Sequence, residues 1–137
     1  MDPLAFAQRY FDAWNARDRA AVLKTFVPGG TYTDPTTQGP LTGPHLAGYL
    51  AALFAAFPDL SFEVESAGKV APDLVAAQWV MRGTNRGPFA GLPPTDKTLE
   101  LRGADFIRVV EGGIYSVEGY FDSRVVQLQL GLEAPRG

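Results

Sequence analysis

Apolar residues in the first half of the chain recur every three to four positions, which is the spacing of a helix that packs on one side. The first such helix is predicted from Pro3 to about Ala16, with Phe6, Tyr10 and Trp14 on its apolar stripe. Further helices are predicted over residues 19–27, 44–57 and 123–130.

In the second half the apolar period changes to two, which is typical of strands. Helices that precede strands in this way favour an α+β protein, with the helices covering one face of a mainly antiparallel sheet. The strands are predicted over residues 31–33, 61–67, 74–83, 98–110 and 113–121, with a hairpin turn at 111–113.

The longest irregular stretch is GTNRGPFAGLPPTD, residues 83–96. It places Phe89 and Leu92 among prolines and glycines. The stretch is either a long hairpin loop or a lid over a pocket.

One carboxyl group falls on the apolar face of a predicted strand. Along residues 98–110, Asp105 is the only charged residue on the face that also carries Leu101 and Ile107. An ionised carboxylate buried there without a partner would cost several kcal/mol, so Asp105 must be hydrogen-bonded, protonated or in a wet pocket. Burial would raise its pKa, and the neutral acid could then donate a hydrogen bond. The alternative is a structural Asp satisfied by backbone groups or a buried arginine.

The last predicted strand has an inward set made of Tyr115, Val117, Gly119 and Phe121. Gly119 leaves a gap on that face, which suits a cavity. Glu118 falls on the other face, toward solvent or a second subunit.

Composition excludes several classes of function. Net charge is −3 and no basic run occurs, so the sequence lacks the basic patch that nucleic-acid binding requires. There is no cysteine, which excludes thiol chemistry and disulfides. No apolar run is long enough to span a bilayer, and the acidic, polar start is unlike a signal peptide, so we expect a cytoplasmic protein of one domain.

Two further residues are candidates for chemistry. Asp34 ends the strand over residues 31–33 and precedes Pro35, so it either caps the turn or faces a pocket and moves protons. His45, the only histidine, is expected to be exposed in the first turn of a helix. One histidine is too few for a metal site, and no nucleophile-elbow motif is present. We therefore expect no metal and no cofactor.

Six stretches spread over nearly the whole chain carry a family resemblance: RYFDAWNARD, YTDP, FAAFPDLSFEV, GPFAGLPPT, GADFIRV and YFDSRVVQLQLGL. Together they resemble the SnoaL-like polyketide cyclases of the nuclear transport factor 2-like superfamily. The resemblance implies a single cone-shaped domain over residues 1–137. It also implies a curved, mainly antiparallel sheet, about three N-terminal helices on its concave face, and a short C-terminal helix. A homodimer through the outer face of the sheet is expected as well, where Glu100, Arg102, Glu118 and Tyr120 point outward.

The site positions are similar to those of ketosteroid isomerase, which has the same fold and uses an Asp base with an oxyanion hole of a Tyr and a protonated Asp. In this sequence QRY points to Tyr10, TDP to Asp34, and the inward acid of the third long strand to Asp105. Polyketide ester cyclases are expected to use an inward acid on the last strand for an aldol closure. That position is Gly119 here, so Asp34 or Asp105 would have to take the role.

We therefore expect a cofactor-independent enzyme that acts on a small lipophilic carbonyl compound by proton abstraction, with Asp34 as base and Tyr10 and Asp105 as donors to the enolate oxygen. The product is an isomerised enone or an aldol-closed ring. The alternative is a non-catalytic ligand-binding or dimerisation module. The substrate pocket is expected to be lined by Trp14, Phe57, Trp79, Met81, Phe89, Tyr115, Val117, Gly119 and Phe121.

Overall fold

A computed structural model describes residues 2–132 of the chain. These residues form helices that precede or flank a run of long strands. In chain order the elements are α1 (Pro3–Asn15), α2 (Arg19–Lys24), β1 (Phe26–Thr33), α3 (Gly43–Ala56), β2 (Ser61–Ala71), β3 (Leu74–Thr84), β4 (Thr98–Val110), β5 (Gly113–Phe121) and α4 (Ser123–Leu130).

The strands form one mixed sheet in the order β1-β5-β4-β3-β2. Strand β1 runs parallel to β5, and the other neighbours are antiparallel. Helix α1 packs on the inner face of β2, β3 and β4. The predicted α+β fold, with helices against a mainly antiparallel sheet, is therefore confirmed.

Local sequence sets the helix ends. The side chains of Asp2, Asp18 and Asp122 each accept a hydrogen bond from a backbone N–H in the first turn of α1, α2 and α4. Gly131 ends α4 in the left-handed conformation, with φ of 70°. None of the helices in residues 2–132 is long and apolar enough to cross a membrane.

The region between α1 and α3 differs from the prediction. Helix α2 ends at Lys24, and Phe26 already belongs to β1, so the helix predicted over residues 19–27 was too long and the strand predicted over 31–33 too short. The Pro28-Gly29-Gly30 segment lies inside this edge strand as an irregularity in its pairing with β5. Proline has no backbone N–H to donate to a neighbouring strand, so Pro28 is tolerated at this irregular position of an edge strand.

The outer face of the sheet is polar. Arg82 pairs with Glu63 at 2.8 Å, and Arg102 pairs with Glu65 at 3.2 Å. These ion pairs are exposed, so each contributes little to stability. The residues predicted to point outward (Glu100, Arg102, Glu118 and Tyr120) are all exposed in this protein, and the homodimer stays a prediction.

Candidate active site

A narrow cavity lies between the helices and the inner face of the sheet. The space open to the centres of water-sized molecules is about 50 Å³. Aromatic and aliphatic side chains form most of its wall. Its lining consists of Tyr10, Trp14, Tyr32, Thr36, Leu53, Phe57, Phe62, Trp79, Met81, Phe89, Leu99, Leu101, Asp105, Phe121 and Val126.

Most of the residues proposed from sequence meet at this cavity. They come from α1, the end of α3, β3, β4, β5 and the β3–β4 loop, which are brought together only by the fold. The proposed residues that line it are Tyr10, Trp14, Phe57, Trp79, Met81, Phe89, Asp105 and Phe121.

Three residues of the last strand that were predicted to line the pocket, Tyr115, Val117 and Gly119, do not line the cavity. Arg108 pairs with Ser116 but Val109 pairs with Ile114, so Tyr115 is an extra residue in β5. This bulge turns Tyr115 to the outer face, where it is 55% exposed, and Ile114 takes the buried position. Val117 does point inward, but it is fully buried in the core and does not line the cavity.

Asp34 also lies outside the cavity lining, because its carboxylate is enclosed by donors. Its Oδ1 accepts hydrogen bonds from the backbone N–H and the hydroxyl of Thr36 at 2.7 and 2.6 Å. Its Oδ2 accepts one from the Tyr32 hydroxyl at 2.7 Å and another, short one from the Tyr49 hydroxyl. The carboxylate thus caps its own turn and joins β1 to α3, while remaining 5% exposed.

The two tyrosines that bind Asp34 were not singled out from the sequence. Tyr32 precedes Asp34 by two residues on a strand, so the two side chains share a face, and that spacing was an available signal. Tyr49 comes from α3, and its approach to Asp34 depends on tertiary packing alone. Burial raises the pKa of both tyrosines, so both hydroxyls stay protonated and donate.

Asp105 has the opposite surroundings. It lies on the inner face of β4, is 4% exposed, and its carboxyl group has no hydrogen-bond partner among residues 2–132. Burial raises the pKa of Asp105 to about 7, and the nearby Asp34 adds to that rise. The Trp79 indole lowers the pKa in part, although its N–H does not reach hydrogen-bond geometry. A cavity carboxyl group with this pKa can both accept and release a proton near neutral pH.

Gly119 lies between the two acids. Asp105 pairs with Gly119 across β4 and β5, and the pairing of Thr33 with Glu118 places Asp34 beside Gly119 on the other side. A Cβ at position 119 would lie 3.0 Å from Asp105 Oδ1 and 3.4 Å from Asp34 Cβ. Gly119 therefore does not line the cavity, but it gives the two carboxyl groups room on neighbouring strands.

Tyr10 stands on α1 one turn before Trp14 and is 1% exposed. Burial is the main cause that raises its pKa well above the ordinary value, and the charge of Asp105 raises it further. Its hydroxyl therefore stays protonated. Tyr10 lines the cavity, so its hydroxyl is available to a molecule there.

Two indole N–H groups at the cavity are unpaired. Trp14 Nε1 and Trp79 Nε1 are fully buried atoms that lack a hydrogen-bond partner in the described part of the chain. An unsatisfied buried donor costs about 1–3 kcal/mol, so stable proteins seldom keep two of them at one cavity unless they have a function.

Residues 2–132 contain no group of three or more His, Cys, Asp or Glu side chains placed to hold a metal ion. His45 is exposed and does not line the cavity.

The stretch predicted as a hairpin loop or a lid is the β3–β4 connection, and one of its side chains forms part of the cavity wall. Phe89 packs edge-on against Phe57, with 5.4 Å between ring centroids. Buried Asn85 holds the base of the loop, because its Oδ1 accepts from Thr95 N at 2.9 Å and its Nδ2 donates to Gly87 O at 2.9 Å. The loop therefore closes one side of the cavity, and its role as a lid stays a prediction.

Comparisons with known proteins agree with this architecture. A proposed SnoaL-like polyketide cyclase from Jannaschia sp. CCS1 is 26% identical, with a TM-score of 0.83 over 96% of this chain and 93% of that one. IdmH, a proposed polyketide cyclase from Streptomyces antibioticus, is 27% identical, with a TM-score of 0.77 over 96% of this chain and 99% of that one. An NTF2-like protein from Cytophaga hutchinsonii shares the fold at 15% identity, with a TM-score of 0.66 over 92% and 95% of the two chains.

No curated protein sequence matches the chain. The family model described as SnoaL-like polyketide cyclase matches residues 5–130, which is nearly the whole chain. The protein therefore belongs to the SnoaL-like polyketide cyclase family.

Proposed function

We propose that this protein is a cofactor-independent enzyme that transfers a proton at the carbon next to a carbonyl group of a small lipophilic substrate. The observation that carries the proposal is Asp105, a buried carboxyl group without a partner in a mostly apolar cavity. Its pKa of about 7 suits a general base at neutral pH. Membership of a cyclase family supports an enzyme of this general kind.

The surroundings of the two acids favour a different division of roles from the one expected from sequence. Asp34 has both carboxylate oxygens occupied by Tyr32, Tyr49 and Thr36, so accepting a substrate proton would disrupt several hydrogen bonds. Asp105 has no such bonds to lose. We therefore assign the base to Asp105, and to Asp34 the role of a positioning residue that holds β1 and α3 in place beside the site.

In the proposed step, the carboxylate of Asp105 takes the proton, the carbon–hydrogen bond breaks, and its electron pair moves into the enolate. The Tyr10 hydroxyl donates a hydrogen bond to the enolate oxygen. The proton on Asp105 then returns to another carbon, which gives an isomerised enone. Alternatively, the enolate carbon attacks a second carbonyl group and the proton goes to the new alkoxide, which gives an aldol-closed ring.

The test is proton exchange and isomerisation of small unsaturated ketones. A series that begins with 3-cyclohexen-1-one suits the narrow cavity, and conversion to the conjugated ketone is followed by absorbance and by deuterium uptake from D₂O. We expect Asp105→Asn to lose about 10²- to 10⁴-fold in rate, the usual contribution of a positioned base. Asp12→Asn, which changes an exposed carboxylate on α1, is the matched control and should retain the rate.

The pH dependence of the reaction rate is an independent test of the same step. Because the base must be ionised, kcat/KM should rise with pH through about 7 and level off above it. If the wild type promotes neither exchange nor isomerisation in any member of the series, the proton-transfer proposal fails. Binding without turnover would then favour the non-catalytic ligand-binding module.

A further inference from the structure

The two tryptophans of this chain have a feature that the proton-transfer step does not use. Trp14 is 2% exposed and Trp79 is 3% exposed, both line the cavity, and the Nε1 atom of each lacks a hydrogen-bond partner in residues 2–132. An indole N–H can only donate, and a buried one normally finds an acceptor. Two unpaired donors at one apolar cavity indicate that acceptors come from a ligand.

Each indole lies beside one of the other polar groups of the cavity. Trp14 follows Tyr10 by one helical turn on α1, with 6.2 Å between ring centroids, and its indole lowers the pKa of the Tyr10 hydroxyl. Trp79 lies next to Asp105 and lowers the pKa of that carboxyl group. The cavity thus has two polar pairs, one of Tyr10 with Trp14 and the other of Asp105 with Trp79.

The fold holds both indoles in fixed positions. Trp14 and Trp79 pack edge-on against the same ring, Phe62, with centroid distances of 5.4 and 5.0 Å. The Trp79 ring also lies across β4 over Gly103, where a Cβ would come within 2.5 Å of it. Donors fixed in this way bind an oxygen atom without first losing side-chain freedom.

We infer that Trp14 and Trp79 donate their indole N–H groups to two oxygen atoms of the ligand. Trp79 binds the oxygen next to Asp105, and Trp14 binds a second oxygen next to Tyr10. The inference deepens the proposed function, on which it rests for the identification of the ligand as substrate. The substrate class it names is a small, mostly apolar dicarbonyl compound, or one with two equivalent acceptor oxygens.

The chain offers a direct measurement, because it contains two tryptophans and both lie at the cavity. Protein labelled with ¹⁵N gives one indole N–H signal from each. The probes are three rings of similar size with two, one and no acceptor oxygens: cyclohexane-1,4-dione, cyclohexanone and cyclohexane. We expect the dione to move both indole proton signals downfield and cyclohexane to move neither downfield. Cyclohexanone should move chiefly the signal of Trp14, because the proposed function places a single carbonyl oxygen at Tyr10.

Variants without the N–H group assign the signals and test the energetics. Trp14→Phe and Trp79→Phe keep an aromatic ring, and each should weaken dione binding by roughly two- to tenfold while leaving cyclohexane binding nearly unchanged. If a phenylalanine variant does not fold, replacement of the tryptophan by benzothienylalanine removes the N–H and keeps the ring shape. The inference is overturned if the dione moves neither signal, or if the variants bind the dione as tightly as the wild type.

The failure of this inference can be told apart from the failure of the proposed function. If both indole signals respond to the dione but the wild type exchanges no carbon-bound proton, the proton-transfer proposal fails and the binding inference stands. If proton exchange occurs and depends on Asp105 while the indole signals do not respond, the binding inference fails alone.

Discussion

Asp34 and Asp105 flank the same glycine, Gly119, on the inner face of one sheet, but only the Asp34 carboxylate is surrounded by hydrogen-bond donors. Asp34 accepts hydrogen bonds from two tyrosine hydroxyls and from Thr36, whereas Asp105 has no hydrogen-bond partner among residues 2–132. The residue type and the degree of burial are the same, so the difference comes from the neighbours. A buried acid with its donors in place stabilises a fold, and one without them is available for chemistry.

The largest expected effect is that Asp34→Asn and Asp105→Asn change the free energy of unfolding in opposite directions. Asp34→Asn should lower the free energy of unfolding by at least about 2 kcal/mol, because several donors lose a charged acceptor. Asp105→Asn should instead raise it at pH 8, by up to about 4 kcal/mol, because the wild type must ionise a buried group there.

The sign of the Asp105 effect follows from its pKa. The folded-state pKa of about 7 lies above the ordinary value of 3.8, so the folded state holds the proton more tightly than the unfolded state. The cost of ionisation is therefore absent well below pH 4, grows between pH 4 and 7, and is complete above 7. Urea unfolding at several pH values measures it, with Asp12→Asn as the exposed control. A destabilised Asp105→Asn protein at pH 8, or a neutral Asp34→Asn, would contradict the comparison.

The next effect concerns the ring beside Asp105. Gly103→Ala should cost about 1–3 kcal/mol of stability, because the new methyl group would lie 2.5 Å from the Trp79 ring and 2.8 Å from the backbone oxygen of Tyr120. It should also change the tryptophan emission and weaken dione binding. Gly68→Ala is the matched control, since it is also in a strand but a Cβ there meets nothing within 4 Å. Equal effects of the two substitutions would show that Trp79 is not held by Gly103.

The smallest change in stability is expected at the glycine between the acids. Gly119→Ala would bring a methyl group to 3.0 Å from Asp105 Oδ1, so the carboxyl group must shift by a few tenths of an ångström. We expect a loss of under about 1 kcal/mol in stability but a loss of about tenfold in the rate of proton exchange, because the base is displaced. Unfolding and exchange assays on the same preparation separate the two. An unchanged rate would mean that the position of Asp105 is not critical.

Much of the fold could be predicted because its signals are local. The period of apolar residues located β4 and β5 with the bounds that the structure shows, and parity alone placed Asp105 on the inner face. The predicted starts of two helices, at Pro3 for α1 and at residue 123 for α4, also agree with the structure. These features depend on residues a few positions apart.

The parts that could not be predicted depend on pairing between distant segments. The bulge that turns Tyr115 outward appears only when β5 is aligned with β4. The role of Asp34 changed because Tyr49, from α3, occupies one of its oxygens. The sequence placed Asp34 correctly at a turn after a strand, but it could not show that donors from another element would enclose the carboxylate.

The most direct test of the central claim is the titration of Asp105 itself. Protein labelled with ¹³C at the aspartate carboxyl carbons gives a signal that is absent from Asp105→Asn and is thereby assigned. The account predicts that this signal titrates near pH 7, because burial and the nearby Asp34 disfavour its charge. A titration near pH 4, the ordinary range of an exposed aspartate, would contradict the claim that Asp105 is a desolvated carboxyl group without a hydrogen-bond donor.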